Sequence, residues 1–213
     1  MKLSLKHVQA TYRLWGTHPF FYKLACIITF LGRENKLRRI AAEKLYLRKG
    51  DTVLDLACGT GLNFSYLEKY IGNTGKIIAF DYSEEMLCSA RKNAAEHGWK
   101  NIEFLLGDAA ELHLKNKVDG VESTLGISAI PRYKEALQKA VNALADGGRI
   151  SILDASLPSG LWKIFNPLIA WIYKNFASWD YTKDIRGVLK SILPRVSVEE
   201  FNGGTIYIIH ATK

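Results

Sequence analysis

Cysteine is scarce and badly placed for cross-linking. The 213 residues carry three (Cys26, Cys58 and Cys88), an odd number with no C-x-x-C pair. That argues against a disulfide framework or a zinc site, so no metal is expected, and it suits a reducing cytosol. Long apolar runs are also missing. The longest, Leu24 to Leu31, contains Thr29 and is far short of the ~20 residues needed to span a bilayer. The opening MKLSLKHVQATYRLW is interrupted by polar residues before a signal-peptide core could form, so a cytoplasmic protein is expected. No internal repeat or low-complexity tract is present, which sets aside solenoids and extended linkers.

What is there is the composition of a folded domain. Hydrophobic residues make up 48% and charged residues 23%, ordinary for a soluble globular chain, and the length suits one domain with a full-sized core. A formal charge of +8 with a pI near 9.3 leaves nucleic acid or an anionic membrane as partners, with plain solubility as the alternative. Nothing in the sequence sets an oligomeric state.

The chain divides by rhythm. Residues 1–48 read as a helical N-terminal cap: Phe20, Leu24, Ile27 and Leu31 recur at helical spacing, as do Leu37, Ile40 and Ala41, with Gly32 between the two groups. From Thr52, short apolar runs alternate with helical segments. Strands are predicted at 52–57, 76–81, 102–108, 118–123 and 149–155. Ser83 is placed to cap a helix that opens with Glu84 and Glu85 and closes at Gly98. A later helix takes Pro131 into its first turn, buries Leu137, Ala140, Val141 and Leu144, and stops at Gly147-Gly148. Such alternation implies right-handed crossovers and a parallel sheet covered on both faces. The final stretch, VSVEEFNGGTIYIIHATK, reads instead as two strands around Asn202-Gly203-Gly204, a hairpin that sets the last strand antiparallel. The resulting layout is a core at 49–156, an aromatic-rich segment at 157–195 and the hairpin at 196–213.

The segment VLDLACGTGLN, residues 53–63, carries the main chemical signal. An apolar strand ending at Asp55, then Ala57, Gly59 and Gly61, then a helix, allows a ligand to lie directly on backbone. Dinucleotides and S-adenosylmethionine both use this arrangement. The dinucleotide fingerprint requires a third glycine for close helix packing, where this chain has Phe64. Asp81 ends the second strand twenty residues after Gly61. It can accept from both hydroxyls of a ribose, which either ligand would offer. Asp108 ends the third strand at the same edge, where it can accept from an adenine amino group. It can equally cap a helix, with Glu111 in capping-box position.

Taken together, VLDLACGTG, IIAFDYSEEML, FLLGDAAEL and ALADGGRISILD resemble the class I S-adenosylmethionine-dependent methyltransferases. Within that superfamily they are most similar to the group of ubiquinone/menaquinone-biosynthesis methyltransferases and bacterial phospholipid or betaine-lipid N-methyltransferases. The resemblance covers about residues 48–156. It implies an α/β fold: a Rossmann-like sheet, mostly parallel, with an antiparallel C-terminal hairpin strand and helices on both faces. It also implies S-adenosylmethionine as cofactor. Asp55, Ala57, Gly59 and Gly61 would surround its methionine end, Asp81, Tyr82 and Met86 its ribose and adenine, and Asp108 and Ala109 the adenine edge. Ser123, ending the fourth strand, is grouped with them.

Methyl transfer from a sulfonium is an in-line displacement in which positioning supplies much of the rate, so no conspicuous catalytic motif is required and none is found. His18, Asp154 and His210 are the candidates for a general base, should the acceptor need one. The segment after the fourth strand, Glu122 to Ser128, lacks the Asn/Asp-Pro-Pro-aromatic pattern of base-amine methylation. A Pro-Cys pair and a metal-dependent Asp/Asn cluster are also absent from the sequence. The best acceptor clue is GLWKIFNPLIAWIYKNFASW, residues 160–179, with three tryptophans, two phenylalanines and a tyrosine around two lysines. This suits either an interfacial segment at an anionic membrane surface or a lid over a greasy pocket, with Trp162 and Trp171 on one side and Tyr12, Trp15 and Tyr22 on the other. A small-molecule or lipid acceptor is therefore expected. By preference it is a lipid head-group amine, because Ile127 to Pro131 and the basic aromatic segment resemble that subgroup; ring C-methylation of a prenylated quinol is the alternative. The scattered lysines speak against an RNA substrate.

Overall fold

The computed structural model describes residues 32–158, 160–167, 169–170 and 180–213. The predicted helical spacing at Phe20 to Leu31 lies outside the described residues, as do Tyr12, Trp15, His18, Tyr22 and Trp171.

Among the described residues seven strands form one sheet: β1 (Thr52–Leu56), β2 (Lys76–Asp81), β3 (Ile102–Leu106), β4 (Val118–Thr124), β5 (Leu144–Ala155), β6 (Val196–Phe201) and β7 (Ile206–Thr212). Their order across the sheet is β3-β2-β1-β4-β5-β7-β6. The first five are mutually parallel, while β7 runs antiparallel between β5 and β6. This is the expected α/β sheet with its antiparallel finish. Chain order reverses between β1 and β4, which opens a crevice at the carboxyl ends of these strands, the place where ligands bind in open α/β sheets.

The helices follow from the apolar spacing. On one face lie α1 (Glu34–Glu43), α2 (Phe64–Ile71) and α3 (Glu84–Glu96), packed over Val53, Ile77, Ala79, Leu153 and Ile208. On the other lie α4 (Tyr133–Ala143) and α5 (Ile185–Ile192), packed over Leu54, Leu56, Val121, Ile150, Ile152 and Ile209. Burial of each such aliphatic side chain contributes ~1.5–3 kcal/mol, so β1, buried on both faces, is the centre of the core. The Ser83 hydroxyl accepts from the Met86 N–H at 3.2 Å and caps α3 as expected, and Gly98 follows that helix with φ +71°.

Four local expectations differ. Leu144 does not close the buried stripe of α4. It takes extended angles and opens β5, opposite Val118, and the register then shifts before Gly120 meets Arg149. Gly147-Gly148 therefore lies in the irregular start of a strand rather than ending a helix; the Gly147 N–H donates to the Lys213 carbonyl, so the sheet takes the chain up early. Pro131 precedes α4, whose N-cap is Arg132. Glu111 forms no capping box, because its carboxylate is turned to Arg132 at 2.7 Å.

Candidate active site

A cleft enclosing about 940 Å³ of open space lies across the carboxyl ends of β1 to β4. The loop after β1 contributes Ala57 to Thr60, Leu62 and Asn63, the end of β2 and the loop after it contribute Asp81, Tyr82 and Ser83, and the turn after β3 contributes Gly107, Asp108 and Ala109. The segment after β4 forms the facing wall with Thr124, Leu125, Gly126, Ala129, Ile130 and Pro131, and Arg38 of α1 joins from above. The structure thus brings Ala57, Gly59, Asp81, Tyr82, Met86, Asp108 and Ala109 together around one space. Asp55 lies beneath this loop, fully buried. Gly61 turns the loop at φ +79°, against the Phe64 ring.

Backbone geometry explains the small residues. Ala57, Gly59 and Gly61 all have positive φ, a conformation that costs an alanine roughly 1–2 kcal/mol and a glycine little. Among the described residues nothing lies within 4 Å of where a Cβ on Gly59 would stand, and Gly59 lines the cleft with its backbone. The Gly59 N–H instead donates to Asp81 Oδ2 at 2.8 Å, and the Ser83 N–H donates to Asp81 Oδ1 at 2.9 Å. Each Asp81 oxygen keeps a lone pair for a ligand. Burial raises the Asp81 pKa, while those N–H groups work against the rise. Asp108 Oδ1 caps Ala110 N–H at 2.9 Å, and its Oδ2 accepts from Arg132 at 2.9 Å.

Beneath the loop is a buried polar network. Asn63 donates to Asp55 Oδ1 at 3.0 Å and accepts from Arg38 Nη1 at 2.6 Å and Thr124 Oγ1 at 3.3 Å. Glu34 orients Arg38 at 2.9 Å through Nε. Glu122 of β4 stands directly opposite Asp55 of β1 in register, and both are fully buried. Among the described residues, Asp55 Oδ2 and both Glu122 oxygens have no hydrogen-bond partner. Burial raises both pKa values; the Asp55 charge raises that of Glu122 further, and Arg38 opposes both shifts.

The other candidates fall elsewhere. Ser123 is buried, its hydroxyl has no hydrogen-bond partner among the described residues, and it contributes nothing to the cleft lining; it points to the α4 side, against Gly126. Asp154 is fully buried on the α5 side, where it accepts from Ser128 N at 3.0 Å, Ser128 Oγ at 2.8 Å and Ala155 N at 2.8 Å. His210 sits in β7 between Ser151 and Ser197, 3.5 Å from Glu199. Neither Asp154 nor His210 lines the cleft, because strand alternation and the inserted β7 aim them away from it. The backbone of Trp162 lies in the 3-10 helix Gly160–Phe165, and its side chain is outside the described set.

Sequence reasoning does not single out Arg38, Asn63 or Glu122 as site residues, and it reads Ile127 to Pro131 as a clue to the acceptor rather than as a cleft wall. Two carried a signal. Arg38 interrupts the otherwise apolar stripe of Leu37, Ala41 and Ala42, and Glu122 is a carboxylate inside a central strand, where charges are rarely buried without cause.

The profile of the methyltransferase domain family matches residues 47–192. The chain belongs to this methyltransferase family. Similar to this methyltransferase is the demethylmenaquinone methyltransferase of Oceanobacillus iheyensis, 27% identical over 84% of both chains. The protein of the same name from Listeria monocytogenes is 28% identical over 76% of this chain and 69% of its own. A solved S-adenosylmethionine-dependent methyltransferase from Aquifex aeolicus shares the fold, with a TM-score of 0.62 at 23% identity over 78% of this chain and 84% of that one. That protein is S-adenosylmethionine-dependent by name, and S-adenosylmethionine is the cofactor expected of this methyltransferase from its sequence. The cleft suits that molecule: open backbone at Gly59, acceptor capacity on Asp81 and an arginine in the wall for a carboxylate.

Proposed function

We propose that this methyltransferase methylates a ring carbon of an isoprenoid quinol of the demethylmenaquinol class. The carrying observation is the similarity, over 84% of each chain, to a protein named demethylmenaquinone methyltransferase. That range reaches well beyond the four cofactor segments. It shifts the preference away from a lipid head-group amine, which no observed contact favours.

In this reading Asp81 receives the ribose hydroxyls. Tyr82, Met86, Asp108 and Ala109 flank the adenine, and Ala57, Gly59 and Gly61 leave room for the methionine end. Arg38, held by Glu34 and Asn63, takes the carboxylate. S-adenosylmethionine supplies a methyl on a positively charged sulfur that leaves as a neutral thioether. The chain's part is to hold acceptor and donor in line and keep water out, which accounts for much of the rate in such displacements. Leu62, Leu125 and Ile130 give the cleft apolar walls suited to an aromatic acceptor. A quinol carbon gains nucleophilicity when the neighbouring hydroxyl is ionised. Since Asp154 and His210 lie away from the cleft, His18 is the remaining candidate for that proton. The aromatic segment would meet the membrane that holds an isoprenoid tail; Ile164, 76% exposed within it, supports an apolar outward face.

A transfer assay with radiolabelled cofactor tests the reading, offering a reduced demethylnaphthoquinone, aminophospholipid vesicles and RNA in parallel. Label is expected in the quinol alone. Label in the aminophospholipid would restore the amine reading, and label in RNA would overturn both.

A further inference from the structure

The cleft wall after β4 has little regular structure of its own, only a 3-10 turn over Ile127–Ala129. Its inner side contributes Gly126, Ala129, Ile130 and Pro131 to the cleft. At one end Gly126 packs against the glycine loop so closely that a Cβ would fall 2.6 Å from the Ala57 Cβ. Its outer side is gripped by groups from distant elements. Asp154 of β5 accepts from the Ser128 N–H and hydroxyl. Lys183, just before α5, donates from Nζ to the Ser128 carbonyl at 2.6 Å and the Ile130 carbonyl at 2.7 Å. The Asp180 N–H adds a weaker bond to the Ser128 carbonyl at 3.3 Å.

We propose that Lys183 is a positioning residue for cofactor binding: its ammonium, bonded to two carbonyls of the Gly126–Pro131 wall, holds that wall at the spacing the cofactor requires. The inference rests on the cleft being the cofactor site. Two carbonyls converging on one amine is an arrangement suited to a charged donor, because ionised hydrogen bonds are roughly twice as strong as neutral ones. The two bonds bracket Ala129, the residue that reaches the cleft from the middle of the turn. Lys183 also ties the segment just before α5 to the cofactor wall.

The surroundings make this grip sensitive to pH. Lys183 is half-buried beside a cavity of about 370 Å³. Asp154 faces it from β5, Asp180 from its own segment, Asp184 and Arg186 from the start of α5, Tyr207 from β7, and the Tyr133 ring of α4 lies 5.6 Å from Nζ. Burial lowers its pKa to about 8, against the pull of Asp180 and Asp154. Above that pH the amine is neutral and the grip weakens. Fold stability moves the other way. The unfolded chain binds this proton up to the ordinary lysine range, so unfolding becomes harder as pH rises from 8 towards 10.5. Affinity falling while stability rises separates positioning from a merely structural role.

The experiment measures cofactor dissociation constants by calorimetry for the wild type, Lys183→Met and Asp81→Ala across a pH series. Lys183→Met should bind about tenfold more weakly than wild type near neutrality, and the ratio should shrink towards one at about pH 9.5. Taking the ratio cancels any titration of the cofactor itself. Asp81→Ala should be weaker at every pH. If Asp81→Ala binds normally, the cleft reading fails and this inference with it. If Asp81→Ala is weakened but Lys183→Met is not, or is weakened equally at all pH values, the positioning role is overturned. Should Lys183→Met not fold, amide exchange in the wild type decides: cofactor protection of Ser128 to Ile130 should be lost at high pH, and undiminished protection would sink the proposal.

Discussion

Gly61 shows how a single atom decides the glycine loop. Its φ of +79° disfavours any Cβ, and a Cβ there would run into the Phe64 ring. Phe64 cannot yield, since it is fully buried and its ring packs edge-on to Trp99 and Phe104 at centroid distances of 6.4 and 6.1 Å. The phenylalanine that breaks the dinucleotide fingerprint is thus the packing partner that makes the second glycine obligatory. Gly61→Ala should cost about 3 kcal/mol of unfolding free energy, from overpacking and left-handed strain together, as measured by urea titration. A loss under about 1 kcal/mol would mean the loop can reshape. Ala57 is the informative contrast, a non-glycine residue at φ +57° in the same loop.

At the scale of elements, register matters more than composition. β1 and β4 each read as an apolar strand with one acid, and the parallel register sets Asp55 against Glu122. Two buried carboxylates cannot both ionise there without large cost. Both pKa values are raised in the folded chain, so the native state holds a proton that the unfolded chain releases in the ordinary carboxylate range. The pair therefore favours folding at low pH and loses that contribution as pH rises. The melting temperature should fall between about pH 5 and 7.5. Glu122→Gln should flatten this fall and be more stable by about 1–3 kcal/mol at neutrality, with little difference near pH 4.5. Calorimetric melting across that range checks it, and parallel pH profiles for the two proteins would refute the shared-proton account. Helix ends obeyed local rules at Ser83 and Gly98, whose capping is a matter of a few adjacent residues. They failed at Leu144, because pairing with β4 outweighed the helical spacing of one leucine.

For the whole molecule, the positive charge of +8 and the aromatic segment at 160–179 bear on where the enzyme works. Among the described residues no helix is long and apolar enough to cross a membrane. The protein should float with anionic vesicles, less so at high salt, and Trp171→Ala should reduce the bound fraction several-fold. Equal flotation of the variant would show that the tryptophan is not an anchor.

The sequence by itself determined the alternation of strands and helices, the order of the cofactor segments, the closing hairpin and the edge along which Asp81 and Asp108 stand. These are local matters of period two, period 3.6 and turn chemistry, written within a few residues. Only the tertiary structure decided that Arg38 meets Asn63 across 25 positions, that Glu122 faces Asp55, and that Lys183 reaches Ser128 across 55. It also decided that Asp154 and His210 lie away from the cleft. Such meetings depend on strand register and crossover geometry, which no short run of residues encodes.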